Sequence, residues 1–218
     1  MTDGSLVTLA QWFPSASGER LFPLPLLVAH TAFLCVLIPV YWRYHGPANF
    51  LWFSDIAIFG AQIALWFENP LLASMQAVSV LLFELVWTVD FLARLISGVH
   101  LTKISRYMFD PKLPLFVRGL SLFHVWLPPL LLWMVYRLGY DHRAWMAQTV
   151  LGCLVLLLCY LGTNRAKNVN WAFGPWGTPQ SRISPRWYLA LLMLAFSIGV
   201  YLPTHLLLMA IMPARSEI

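Results

Sequence analysis

Six apolar stretches, each long enough to cross a bilayer, follow one another along this chain with only short connections between them. A span of about 20 apolar residues matches a hydrocarbon layer roughly 30 Å thick, and the stretches lie at 21–43, 49–66, 71–96, 113–138, 144–161 and 187–212. In lipid, every backbone N–H and C=O must find a partner within the protein, which leaves only helices or a closed barrel. The ten-residue alternation of a barrel strand is absent from the sequence, so the spacing predicts an all-α, polytopic membrane bundle of six transmembrane helices. Breaker clusters agree with these ends: His45-Gly46-Pro47, Asn69-Pro70, Ser97-Gly98, Gly139-Tyr140-Asp141 and the run from Gly174-Pro175 to Pro185.

Composition excludes the alternatives. Hydrophobic residues make up 60% of the 218 and charged residues 11%, against roughly 25% charged in a soluble domain. The expected organisation is one six-span domain over 21–212, preceded by a segment at 1–20 and followed by a tail at 213–218. Residues 6–13 form an apolar run too short for a signal peptide and lacking a basic leader; they read as a helix lying on the membrane surface.

Basic residues set the expected orientation. With six crossings, Arg20, Arg137, Arg143 and Arg215 share a side with the termini, while nine others, from Arg43 to Arg186, gather on the opposite side. Positive charge is retained in the cytosol, which puts both termini outside and the loops 98–112 and 162–186 inside, in the cell (inner) membrane. The net charge of +5 then points to anionic lipid headgroups rather than to nucleic acid. Membrane lipids are the expected partners, and nothing in the sequence names a protein partner. Cys35, Cys153 and Cys159 all fall inside spans and read as packing residues.

This orientation brings the ionisable residues within the spans to one half of the membrane. Asp55 lies on the second span, Glu84, Asp90 and Arg94 on the third, and Arg118, Ser121 and His124 on the fourth. A charge at mid-span costs about 2.5–3.5 kcal/mol, so these groups are expected to face inward and pair, Asp90 with Arg94 one turn away and Arg118 with Asp55 or Glu84 across the bundle. Such a cluster is either an ion network that fixes helix register or the lining of a hydrated cavity. Pro128 and Pro129 free backbone carbonyls one turn earlier and predict a kink beside His124. The loop containing Asn168, Asn170, Trp171 and Gly174 suits either a lid over the cytosolic mouth or an interfacial loop anchored by tryptophans.

Ser54, Asp55 and His124 supply a hydroxyl, a carboxylate and an imidazole, the group types that activate a nucleophile, and are the candidate catalytic residues. Glu84, Asp90, Arg94 and Arg118 on the spans, with Asn168 and Asn170 on the loop, are the candidate substrate contacts. The sequence holds no HxxxH, HExxH, GxSxG, GxxxxGK or GxGxxG, so no metal and no cofactor is expected, and phosphate-loop and ordinary lipase chemistry find no support. His30 and His205 in the outer half make a bis-histidine site conceivable, against the more ordinary use of each in packing.

Two stretches carry a family resemblance. Phe50-Leu51-Trp52-Phe53-Ser54-Asp55 resembles the segment bearing the nucleophilic Thr in the androgen-induced-gene family of membrane lipid hydrolases, and Leu122-Phe123-His124-Val125-Trp126-Leu127-Pro128 is similar to the segment around its catalytic His. The stretch 168–174 resembles an asparagine-glycine motif in a bacterial integral-membrane family related to a phospholipid acyltransferase. The resemblance covers about a fifth of the chain. It puts Trp52 where the family has its Thr, two residues before Ser54, a rotation of roughly 200° around a helix. What it implies is a fatty-acyl ester hydrolase or acyl transferase working within the membrane. The residues themselves leave a proton-coupled transporter and a purely structural protein as alternatives.

Overall fold

The computed structural model describes residues 20–213, so the expected surface helix at 6–13 and the residues after 213 lie outside the described residues. The described chain is all helical: α1 (Leu24–His45), α2 (Phe53–Phe67), α3 (Pro70–Ser97), α4 (Leu115–Leu120), α5 (Phe123–Leu138), α6 (Ala144–Gly162), α7 (Pro185–Leu194) and α8 (Leu202–Ile211). Five helical stretches are long and apolar enough to cross a membrane: α1, α3, Leu115–Leu138, α6 and Pro185–Ile211. The chain is therefore an integral membrane protein in its architecture.

The second expected span is the exception. Its helix has only 15 residues, because Pro47 opens a 3-10 turn over Pro47–Leu51 and Trp52 is extended, so α-helical bonding starts later than the apolar pattern does. Elsewhere the boundary residues act as their chemistry requires. The Asn69 side chain accepts the Leu72 N–H at 2.9 Å with Pro70 following it, Ser184 caps α7 ahead of Pro185, and Gly98 closes α3 with φ of 75°.

α3 is the central column and packs on α5, α2 and α6. Its two faces invert the pattern of a soluble helix. Ser74, Gln76, Ser79, Glu84 and Asp90 are buried, whereas Leu82, Leu85, Val86, Val89 and Leu92 are exposed, which is the arrangement lipid selects.

Contacts at the two ends show how the helices return. At one end the Leu21 N–H donates to Glu68 Oε1 at 2.7 Å and the Arg20 guanidinium lies over the Trp66 ring, so α2 finishes beside the start of α1. The Asp141 N–H reaches Ser74 Oγ at 3.0 Å, and the Tyr140 N–H reaches the Pro213 carbonyl at 2.8 Å. At the other end Lys167 donates to the His45 carbonyl, and Asn170 binds the backbone at Leu51 and Phe53.

Two helices depart from straight α geometry. The fourth expected span breaks at Ser121 and Leu122, where ψ is near zero, nearly two turns before the prolines rather than beyond His124. Pro128 does free the His124 carbonyl, as its missing N–H dictates, and Thr88 Oγ1 donates to that carbonyl at 3.4 Å. Near the C-terminus, Ala195–Tyr201 is π-helical, ahead of Pro203, which cannot donate to the turn before it.

Candidate functional site

Asp55 of α2, Glu84 of α3 and His124 of α5 meet at one cavity of about 850 Å³. Tyr41, Asn49, Phe53, Ser54, Trp87, Tyr107 and Ser121 contribute to its walls, and Lys103 and Lys112 also border it. It lies at the end of the bundle carrying the loops 98–114 and 163–184, both of which supply lining residues.

The most specific contact in it joins His124 to Glu84. Nδ1 stands 2.6 Å from Glu84 Oε2, with Glu84 2% exposed. A carboxylate only accepts, so with Glu84 ionised the imidazole carries its hydrogen on Nδ1 and leaves a basic Nε2. That nitrogen makes no hydrogen bond among the described residues, and the ring borders the cavity. Trp87 stacks on the imidazole at 4.5 Å between centroids and Phe123 at 4.2 Å, which fixes the ring plane.

Asp55 is a second buried carboxyl at the same cavity. Asn49 Nδ2 donates to its Oδ2 at 3.3 Å, Oδ1 has no hydrogen-bond partner among the described residues, and Asp55 interacts electrostatically with Glu84. Ser54, on the preceding position, is half-buried and lines the cavity without a hydrogen bond to His124. The expected trio of Ser54, Asp55 and His124 thus shares one space, with Glu84 rather than Asp55 on the imidazole.

The remaining expected contacts are employed elsewhere. Asp90 does not pair with Arg94; its carboxylate accepts the N–H groups of Thr102, Lys103 and Ser105, the Ser105 hydroxyl at 2.6 Å, and a contact from His100. The reason is geometric: α3 ends at Gly98 and the chain folds straight back over Asp90, offering backbone donors closer than Arg94 does. Arg94 lies over the Phe109 ring instead. Arg118 pairs with neither Asp55 nor Glu84, because the carbonyls of Leu113 and Met108, a short step back in the chain, capture its guanidinium. Asn168 bonds Phe173 N–H and the Gly174 carbonyl and so shapes its own loop. Asn170 accepts from the Phe53 N–H at 3.1 Å and donates to the Leu51 carbonyl at 2.6 Å, fixing the start of α2 beside Ser54. Asn168, Asn170 and Trp171 all have positive φ, and this loop, with Trp171, Gly177 and Thr178, forms part of the cavity wall.

Two phenols at the site were not singled out by sequence. Tyr41 shares a 2.6 Å hydrogen bond with Ser121, and Tyr107 of the loop after α3 faces Tyr41, Ser121, Glu84 and Trp87. Burial pushes the Tyr107 phenol well above its ordinary value, so it stays a hydrogen-bond donor. A tyrosine near a span end reads equally well as an interfacial anchor, which hid both. The two histidines expected in the outer half have separate partners, His30 bonding Gln62 and His205 bonding Tyr140. No group of three or more metal-ligating side chains occurs among the described residues.

Compared with known proteins, the chain matches no family model, no curated protein and no solved structure. The reading of the site therefore rests on its geometry.

Proposed function

We propose that this protein is an intramembrane lipid-modifying enzyme that cleaves or transfers a fatty-acyl ester at the buried cavity, with His124 as general base. The observation that carries this is the imidazole held through Nδ1 by Glu84, on the wall of a cavity that Ser54 also lines. A base oriented by a carboxylate beside a hydroxyl is the arrangement acyl transfer requires. In this reading Glu84 orients His124 and stabilises the imidazolium, His124 takes the Ser54 proton, and Asp55 balances charge. Lys103 and Lys112 carry the cationic character at the rim that Arg94 and Arg118, engaged elsewhere, do not supply.

Six crossings with both termini outside fit this reading. Although α2 is short, the contact of its end with Leu21 supports a full return across the membrane. The cavity would then open at the cytosolic face of the cell membrane, where the flanking loops carry most of the basic residues.

A serine-directed fluorophosphonate tests the assignment. Purified protein in lipid should be labelled at Ser54, labelling should vanish in Ser54→Ala, and it should fall by 10²-fold or more in His124→Gln, the scale of general-base loss. Labelling indifferent to both changes contradicts the enzyme reading. One observation favours a second reading, a proton-coupled carrier: two buried carboxyls stand together at the cavity and one Asp55 oxygen has no partner. Its mark would be pH-driven flux in liposomes lost in Asp55→Asn while Ser54→Ala is unaffected.

A further inference from the structure

Asp55 is left without a countercharge. Arg118, expected to neutralise it from across the bundle, is held by the carbonyls of Leu113 and Met108, and Arg94 lies on the Phe109 ring. Among the described residues the hydrogen-bond partner of Asp55 is the neutral Asn49 amide, and its Oδ1 has none. Glu84 adds negative charge beside it rather than offsetting it, and meets the His124 imidazole instead of a Lys or Arg. A carboxylate inside a protein is costly until a cation stands near it.

Both carboxyls line the cavity yet are nearly covered, Asp55 3% and Glu84 2% exposed, so they offer it charge more than hydrogen-bonding oxygens. Much of the wall around them is aromatic. Phe53, Phe196, Phe83 and Trp171 form a continuous run of rings, with 5.2, 5.3 and 5.6 Å between successive centroids. Trp52 also lines the space, as does Tyr41, which interacts electrostatically with Asp55. Ring faces carry negative potential and attract cations, most strongly away from water. Lys103 and Lys112 border the same cavity at exposed positions and form no ion pair among the described residues; Asp110, also on the border, accepts the Lys112 backbone N–H. From the buried wall outward the charge runs negative and then positive. That order complements a zwitterion entering ammonium first with its phosphate behind. A quaternary ammonium fits the covered carboxyls better than a primary one, because it has no N–H groups to satisfy.

We propose that the cavity binds the phosphocholine headgroup of a membrane lipid, the trimethylammonium end against Asp55 and the run of rings from Phe53 to Trp171, the phosphate at Lys103 and Lys112. This deepens the acyl-ester reading of the same cavity, and rests on it for the bound lipid being the ester that is cleaved. Ser54 immediately precedes Asp55, so the residue that attacks the ester and the one that recognises the headgroup are neighbours on α2.

Isothermal titration calorimetry on the full chain in maltoside detergent tests the site with three probes: a dihexanoyl phosphocholine lipid below its micelle concentration, its phosphoglycerol counterpart, and free choline chloride. Wild-type protein should bind the phosphocholine lipid at least about tenfold more tightly than the phosphoglycerol lipid, and Asp55→Asn should erase that preference. Lys103→Gln combined with Lys112→Gln should weaken the phosphocholine lipid about fivefold and leave free choline unchanged. Equal affinity for the two lipids, or a preference intact in Asp55→Asn, overturns the headgroup site. Free choline bound as tightly as the lipid, with the lysine changes silent, overturns the lipid as the source of the ammonium. Should Asp55→Asn fail to fold, the wild-type preference and the lysine variant still decide. In parallel, the phosphocholine lipid should slow fluorophosphonate labelling of Ser54 while the phosphoglycerol lipid at the same concentration does not. Selective binding by protein whose Ser54 never labels leaves the headgroup site standing and sinks the acyl-ester reading. Labelling without selective binding does the reverse.

Discussion

At the scale of single residues, burial and partner decide which of the ionisable groups is available for chemistry. Asp90 and Glu84 are both buried carboxyls on one face of α3, yet one is saturated by the backbone of the following loop, whereas the other has an imidazole as its hydrogen-bond partner among the described residues. Asp90 is thus a fastener: it holds the segment that carries Tyr107 to the site. Removing it leaves the buried N–H and hydroxyl of Ser105, and the half-buried N–H of Thr102, without their acceptor. Asp90→Ala should destabilise the protein by about 3 kcal/mol or more, given roughly 1.5–3 kcal/mol for each hydrogen bond to a charged group, as read from thermal unfolding in detergent. The same variant should loosen Tyr107 and be felt at the cavity, while Arg94→Ala, which loses only a ring contact, should be nearly silent in stability. Sequence placed Asp90 near the end of its helix, but its partners follow from a turn at Gly98 that side-chain spacing does not encode.

Among the elements, α2 decides most. Its 15 residues start late because Pro47 and Trp52 interrupt the helix, and its first turn then presents Ser54 and Asp55 to the cavity. The loop 163–184 holds that start in place through Asn170 alone among its amides. Asn170→Ala would leave the Phe53 N–H and the Leu51 carbonyl without their partner, at about 1–3 kcal/mol for the unsatisfied groups. We expect Asn170→Ala to reduce ester turnover while Asn168→Ala, which alters only its own loop, acts chiefly on stability; a turnover assay paired with unfolding on both variants checks this. The helix pattern in the sequence reached the ends of α3 and α6 to within a residue, because Asn69, Gly98 and the apolar periods are local signals. The break at Ser121 and Leu122 was not legible. Tandem prolines attract attention to their own position, whereas here α5 runs through them and Thr88 takes up the freed carbonyl.

For the whole molecule, the inside-out polarity of α3 and the return contacts at both ends define the arrangement. That arrangement was largely readable from hydropathy, since lipid forbids irregular exposed backbone and leaves few choices of fold. The convergence of Asp55, Glu84 and His124 was readable only as a shared depth; which helices face each other depends on packing between elements far apart in sequence. Sidedness is open to direct measurement. With the three native cysteines replaced, a membrane-impermeant maleimide added to intact cells should label His142→Cys, in the turn that contacts Pro213, and spare Lys112→Cys beside the cavity. The opposite pattern would invert the protein and turn the cavity outward.

The central claim is that Glu84 and His124 act as one catalytic unit on an acyl ester. A double-mutant cycle on ester turnover by protein reconstituted in liposomes, comparing Glu84→Gln, His124→Gln and the pair, tests it most directly. Each single change should cost about 10²–10⁴-fold, and the double variant should lose little more than the worse single one, as groups working together do. Losses that multiply, or turnover untouched by Glu84→Gln, would contradict the account.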